Sequence, residues 1–145
     1  VGGFVDRALG PKPVIVACCV MLMATAALIV SLSPTSVMGI PIAEGSALPD
    51  QLFYLAGIII GAGGGILQAA SRNMLTRQGN PDRMTEAFGL YALSGKATSF
   101  LAPALIALTS DITGNQRLGV TPLILLFGIG LVMLLWVKPD GEDNK

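Results

Sequence analysis

The sequence predicts an all-α integral membrane fold with four transmembrane helices. Three observations carry this. The chain of 145 residues is 52% hydrophobic and only 12% charged, with a mean hydropathy of +0.70, too apolar for a soluble domain of this size. Four apolar runs, at about 14–32, 52–71, 87–108 and 120–137, are each long enough to cross a hydrocarbon core roughly 30 Å thick. Lys and Arg concentrate in alternate segments between those runs, as the positive-inside rule requires.

Residues 1–13 form a short charged segment punctuated by Gly10, Pro11 and Pro13. The prolines fit a helix start. The first span, 14–32, has no charge and no polar face, so it is either peripheral or packed on all sides. Its two cysteines, Cys18 and Cys19, are adjacent in the apolar run. That is a poor arrangement for a disulfide or a metal, and they read as small packing residues.

Residues 33–51 hold Pro34, Pro41, Pro49, Gly39 and Gly45, with Glu44 and Asp50 but no Lys or Arg. This is a loop with an apolar middle, placed at the membrane interface. In the second span, 52–71, Gly57, Gly61 and Gly65 recur every four residues and make a flat ridge. Such a ridge suits tight helix packing or a bending helix. Gln68 lies near the span's end. A polar loop follows at 72–86, with Arg72, Arg77 and Arg83 and the turn signal Gly79-Asn80-Pro81. Thr85 is placed to cap the next helix, and Glu86 in its first turn suits the helix dipole.

The third span, 87–108, organises the chain because it carries Lys96 near its middle. Entering near Ala87, the helix places Lys96 about 14 Å into a core roughly 30 Å thick. A charge there costs roughly 2.5–3.5 kcal/mol on insertion scales, a cost accepted most readily when the charge faces a protein interior or a water-filled path. A step of about 100° per residue gathers Leu90, Leu93, Ala97, Leu101, Ala104 and Leu108 on one side. The other side holds small and polar residues, among them Tyr91, Ser94, Lys96, Thr98, Ser99 and Pro103. One reading makes Lys96 the holder of an anionic group in a transport path. The other has it snorkel to a headgroup or pair structurally with a buried acid. Pro103 would bend or loosen this helix.

After a polar loop at 109–119, the fourth span runs over 120–137, with Pro122 near its start and Trp136 and Lys138 as interfacial anchors. The tail, 139–145, reads as solvated and disordered. The charge alternation places both ends in the cytoplasm. The first residue is Val1, which suggests a fragment of something longer.

Several function classes are disfavoured. Lys plus Arg and Asp plus Glu number nine each with no basic patch, against nucleic-acid binding. His is absent and no span carries paired carboxylates, against an intramembrane enzyme. No Gly-x4-Gly-Lys-Ser/Thr loop supports direct ATP use. No cofactor is expected.

The opening, Gly2-Gly3-Phe4-Val5-Asp6-Arg7-Ala8-Leu9-Gly10-Pro11-Lys12, resembles the cytoplasmic loop signature of major facilitator transporters. Gly2, Asp6, Arg7, Gly10 and Lys12 match it, with two residues instead of one between Arg7 and Gly10. In that family the loop follows the second and eighth helices. With four helices remaining, the resemblance implies helices nine to twelve, part of the C-terminal half of a twelve-helix fold. Three further blocks look like the vacuole-effluxer branch of the superfamily: 64–72 (Gly-Gly-Ile-Leu-Gln-Ala-Ala-Ser-Arg), 88–99 (Phe-Gly-Leu-Tyr-Ala-Leu-Ser-Gly-Lys-Ala-Thr-Ser) and 113–119 (Thr-Gly-Asn-Gln-Arg-Leu-Gly). This branch includes the fungal vacuolar amino-acid effluxer linked to autophagy and many bacterial permeases.

The resemblance implies secondary-active transport of a small solute by alternating access, with amino-acid efflux as the implied activity. Tyr91, Ser94, Lys96, Thr98, Ser99 and Gln68 are then substrate-path candidates. Gly2, Asp6, Arg7, Gly10 and Lys12 form a cytoplasmic gating loop, and Gly57, Gly61 and Gly65 a helix-packing ridge. The implied partners are the N-terminal portion of the same transporter, the bilayer and a small solute, in a bacterial inner (plasma) membrane. The rival reading is a small four-helix membrane subunit or assembly factor without transport activity.

Overall fold

The computed structural model describes residues 10–33, 36–43 and 46–137. Asp6, Arg7 and Gly2 of the gating loop, the anchor Lys138 and the tail 139–145 lie outside them. Four long apolar helical spans account for most of the chain, as the sequence predicts.

Helix α1 is Pro11–Ser31, with prolines in its first turn, where the missing N–H costs nothing. It ends where Leu32 turns to extended backbone, φ −72° and ψ 131°. Its buried positions, Val14, Ile15, Cys18, Cys19, Leu22, Thr25, Ala26 and Ile29, recur every three to four residues. They define one covered side. Hydropathy hides that side because the exposed residues are apolar too. The helix is neither peripheral nor covered all round: it lies between the second and fourth spans.

The segment after α1, expected as a loop, holds a three-stranded antiparallel sheet of two-residue strands: β1 (Leu32–Ser33), β2 (Ser36–Val37) and β3 (Ile40–Pro41). Leu32 pairs with Val37, and Val37 with Ile40. The β2–β3 turn has positive φ at both central residues, Met38 (49°) and Gly39 (81°). That is the backbone twist a two-residue hairpin favours. Met38 and Ile40 leave the turn apolar and exposed.

Helix α2, Leu48–Gln78, has 31 residues and is about 46 Å long. It exceeds the expected second span at both ends. Asp50 lies in its first turn, and Arg72 and Arg77 stand on the helix rather than in a loop. Its inward seam is Ala56, Gly63 and Ala70, at seven-residue spacing, with Met74 beyond. Small residues in such a seam let two backbones approach. A Cβ at Gly63 would sit 2.6 Å from Met21 Cε and 3.2 Å from Leu22 Cδ2. Cys18 and Cys19, both free, share the core with Val14, Ile15, Ala70 and Met74; Phe127, Leu131 and Leu134 cover it.

A 3₁₀ turn, Pro81–Arg83, leads into the third span. Asn80 Oδ1 caps it by accepting the Asp82 N–H at 3.0 Å. Thr85 makes no cap: the residue flanking the next helix is Arg83, which pairs with Glu86. The third span is two helices, α3 (Met84–Thr98) and α4 (Leu101–Thr113), meeting at Ser99–Phe100. Pro103 explains the joint, since it has no N–H for the Ser99 carbonyl and its ring crowds that carbonyl. Helix α4 also runs past the expected end and carries Asp111 in its last turn. A second 3₁₀ turn, Leu118–Val120, precedes α5 (Thr121–Trp136).

Candidate functional site

Lys96 lies fifteen residues after Pro81 and seventeen before Thr113, at the middle of the 33-residue third span. It is exposed, and Nζ has no hydrogen-bond or ion-pair partner among the described residues. No residue of α3 is buried, and α3 makes few contacts with α2. The joint at Ser99–Phe100 begins three residues after Lys96. Its carbonyl accepts the Ser99 N–H at 3.4 Å and the Ser99 Oγ–H at 2.8 Å. The next ladder bond past the joint is Ala104 N–H to Phe100 O, 3.0 Å.

The hydroxyls of Ser94 and Thr98 also turn back on their own helix. Ser94 Oγ donates to Tyr91 O at 2.9 Å, and Thr98 Oγ1 to Ser94 O at 2.8 Å. Such bonds satisfy the hydroxyl proton in an apolar medium and favour bending. What remains free is acceptor character. Lys96 carries the full charge at the middle of this span, and Ser99 Oγ is the hydroxyl oxygen nearest it around the helix. Helical steps of about 100° place Tyr91, Ser94 and Thr98 on one strip and carry Lys96 about 140–160° around the helix from them, with Ser99 between.

On α2, Gly57, Gly61, Gly65 and Gln68 share one exposed face, opposite the Ala56–Gly63–Ala70 seam. A Cβ at Gly57, Gly61 or Gly65 would meet nothing within 4 Å. Among the glycines of α2, the one in contact inside this chain is Gly63, while the predicted ridge faces outward. Gln68 is not brought to Lys96.

Lys12, assigned to the gating loop, stands in the first turn of α1 and donates to Val137 O at 2.6 Å and Leu135 O at 3.3 Å. Gly10, at φ 81°, forms the entry to the same helix. A groove of about 250 Å³ between α1 and α2, lined by Met21, Thr25, Leu28, Leu55 and Ile59, is apolar and holds none of the candidates. Thr25 Oγ1 is satisfied by Met21 O at 2.8 Å.

The block 113–119 has a structural role that spacing did not reveal. Gly114, at φ 63°, ends α4 in the left-handed conformation, the usual glycine cap. Asn115 Oδ1 accepts the Arg117 N–H at 3.0 Å. Arg117 reaches back to Leu32 O at 2.5 Å. Gly119 is buried so tightly that a Cβ would collide with Ser110 Oγ and lie 3.1 Å from Ile106 O. The signal for this unit was the block itself, with its two glycines around Asn115 and Arg117.

A sequence model described as "Vacuole effluxer Atg22 like" matches residues 21–143. The chain is 35% identical over 92 residues to the uncharacterized MFS-type transporter YxiO of Bacillus subtilis, covering 63% of this chain and 22% of that protein. It is 27% identical over 96 residues to autophagy-related protein 22 of Cryptococcus neoformans, covering 66% of this chain and 17% of that protein. The chain thus spans about a fifth of the length of these curated relatives. No solved structure matches it.

Proposed function

The chain belongs to the vacuole effluxer Atg22-like family, and from that premise we propose that it forms part of the path of a secondary-active transporter exporting a small zwitterionic solute, with amino acids as the substrate class. The supporting observation is Lys96: an unpaired cation at mid-span, three residues before a proline-linked break. Interrupted helices near the bilayer midplane are where transporters place substrate sites, because broken backbone is tolerated only beside a cavity or protein. In this reading Lys96 Nζ holds a substrate carboxylate. Ser99 presents an acceptor oxygen to the substrate's ammonium, Tyr91, Ser94 and Thr98 lie too far around the helix to share one cavity with Lys96, and Gln68 faces the path from α2.

The four spans correspond to helices nine to twelve of a twelve-helix fold, and access alternates by rocking of the two halves. The ridge Gly57–Gly61–Gly65 meets a part of the transporter outside this chain. Asp6 and Arg7 gate the cytoplasmic side. Lys12, Arg72, Arg77 and Arg83 gather at one end of the bundle and Arg117 at the other, which supports cytoplasmic ends in a bacterial inner (plasma) membrane.

The test is counterflow of a panel of amino acids by the full-length protein in proteoliposomes. Losing a charged hydrogen bond to substrate costs about 1.5–3 kcal/mol, so Lys96→Gln should slow counterflow roughly 10- to 100-fold while Lys96→Arg retains part of it. Equal rates for the parent and Lys96→Gln would overturn the assignment.

A further inference from the structure

Two cations tie the first and fourth spans together, one at each end, and neither uses a carboxylate. At one end Lys12, in the first turn of α1, donates to the Leu135 and Val137 carbonyls at the C-terminus of α5. At the other, Arg117, just ahead of α5, donates to the carbonyl of Leu32, the residue that closes α1. Each helix therefore receives, at its C-terminus, a cation carried at the N-terminal end of its antiparallel neighbour. The last carbonyls of a helix have no partner within it, and a cation there also meets the negative end of the helix dipole. The two ties are separated by the length of α1, about 30 Å, which is the thickness of a hydrocarbon core. Between them the helices pack closely: a Cβ at Gly128 would lie 3.9 Å from Met23 Cε, and Phe127, Leu131 and Leu134 cover the α1 core.

We propose that Lys12 and Arg117 are reciprocal helix clamps that lock α1 and α5 into one rigid unit, each holding its own end. A loop arginine matched to a carboxylate would be free to exchange partners. These two instead fill backbone acceptors that are fixed in the fold, so the pair moves as a body when other spans rearrange. The inference is independent of the substrate and of Lys96.

Spin-label distance measurements on the full-length protein test it. One label pair, Ala17→Cys with Met133→Cys, reads the Lys12 end; another, Ala27→Cys with Leu125→Cys, reads the Arg117 end, all four positions being exposed in this chain. Cys18 and Cys19 are first replaced by Ala. Lys12→Gln is expected to broaden the first distance distribution and leave the second narrow. Arg117→Gln should do the reverse, and Lys12→Arg should keep both narrow. Distributions that stay narrow in both Gln variants, or that broaden equally at both ends in either one, would overturn the proposal. Transport plays no part in the readout, so failure here is distinct from failure of the transport reading.

Discussion

A single methyl group probes the packing at Gly119. Ser110 Oγ, Ser110 Cβ and Ile106 O all crowd the position where a Cβ would stand, so Gly119→Ala must push the Leu118–Val120 turn away from α4. Overpacking of this kind costs on the order of 1–3 kcal/mol. The expected outcome is a lower melting temperature in detergent, partly restored by adding Ser110→Gly, which removes two of the three crowding atoms. Gly63 behaves differently: the nearest atom is the mobile Cε of Met21, so Gly63→Ala should be mild and Gly63→Leu severe in the same measurement. Gly61 has open space around it in this chain. If that face met only lipid, Gly61→Ala would stabilise the helix by about 1 kcal/mol and leave transport unchanged. The proposal that the ridge meets another part of the transporter predicts the opposite, reduced transport. Spacing showed that α2 has a glycine ridge; it could not show which side of α2 this chain covers, because both sides are small and apolar.

The informative element is the broken third span. Pro103 withholds one N–H and crowds the Ser99 carbonyl, and three hydroxyls bond back to the helix beside it. Restoring the missing donor with Pro103→Ala removes a defect worth roughly 3 kcal/mol in a helix interior. The third span should become continuous and the protein melt at a higher temperature, while transport falls. Equal transport by Pro103→Ala would detach the break from function. Residue identity made this break legible, since Pro103 in an apolar run has few other consequences. The small sheet at Leu32–Pro41 was not legible. Strands of two residues carry no alternation to detect, and the turn uses Met38 at positive φ, a residue that does not advertise it.

At the scale of the molecule, four spans were legible because apolar runs of this length have one stable form in a bilayer, a hydrogen-bonded helix. Their arrangement was not. The first span looked uniform in sequence, yet it is the helix that α2 and α5 both pack against. The ties that set it there, Lys12 to α5 and Arg117 to Leu32, end on backbone carbonyls, which every residue possesses and no motif records. The α3 half of the third span stands apart from this packed trio, while α4 packs on α5 and on the Leu118–Val120 turn, and that separation leaves Lys96 exposed, as the proposed path requires.

In the proposed path, Lys96 faces water at mid-membrane. The most direct measurement is thiol modification of the full-length protein in membranes, with Cys18 and Cys19 replaced by Ala and Lys96→Cys compared with Leu93→Cys, which lies on the apolar strip. A small charged methanethiosulfonate reagent should label Lys96→Cys at least about tenfold faster than Leu93→Cys, since only thiols reached by water ionise and react. Labelling of Lys96→Cys as slow as that of Leu93→Cys would overturn the assignment and make Lys96 a lipid-facing or structural charge.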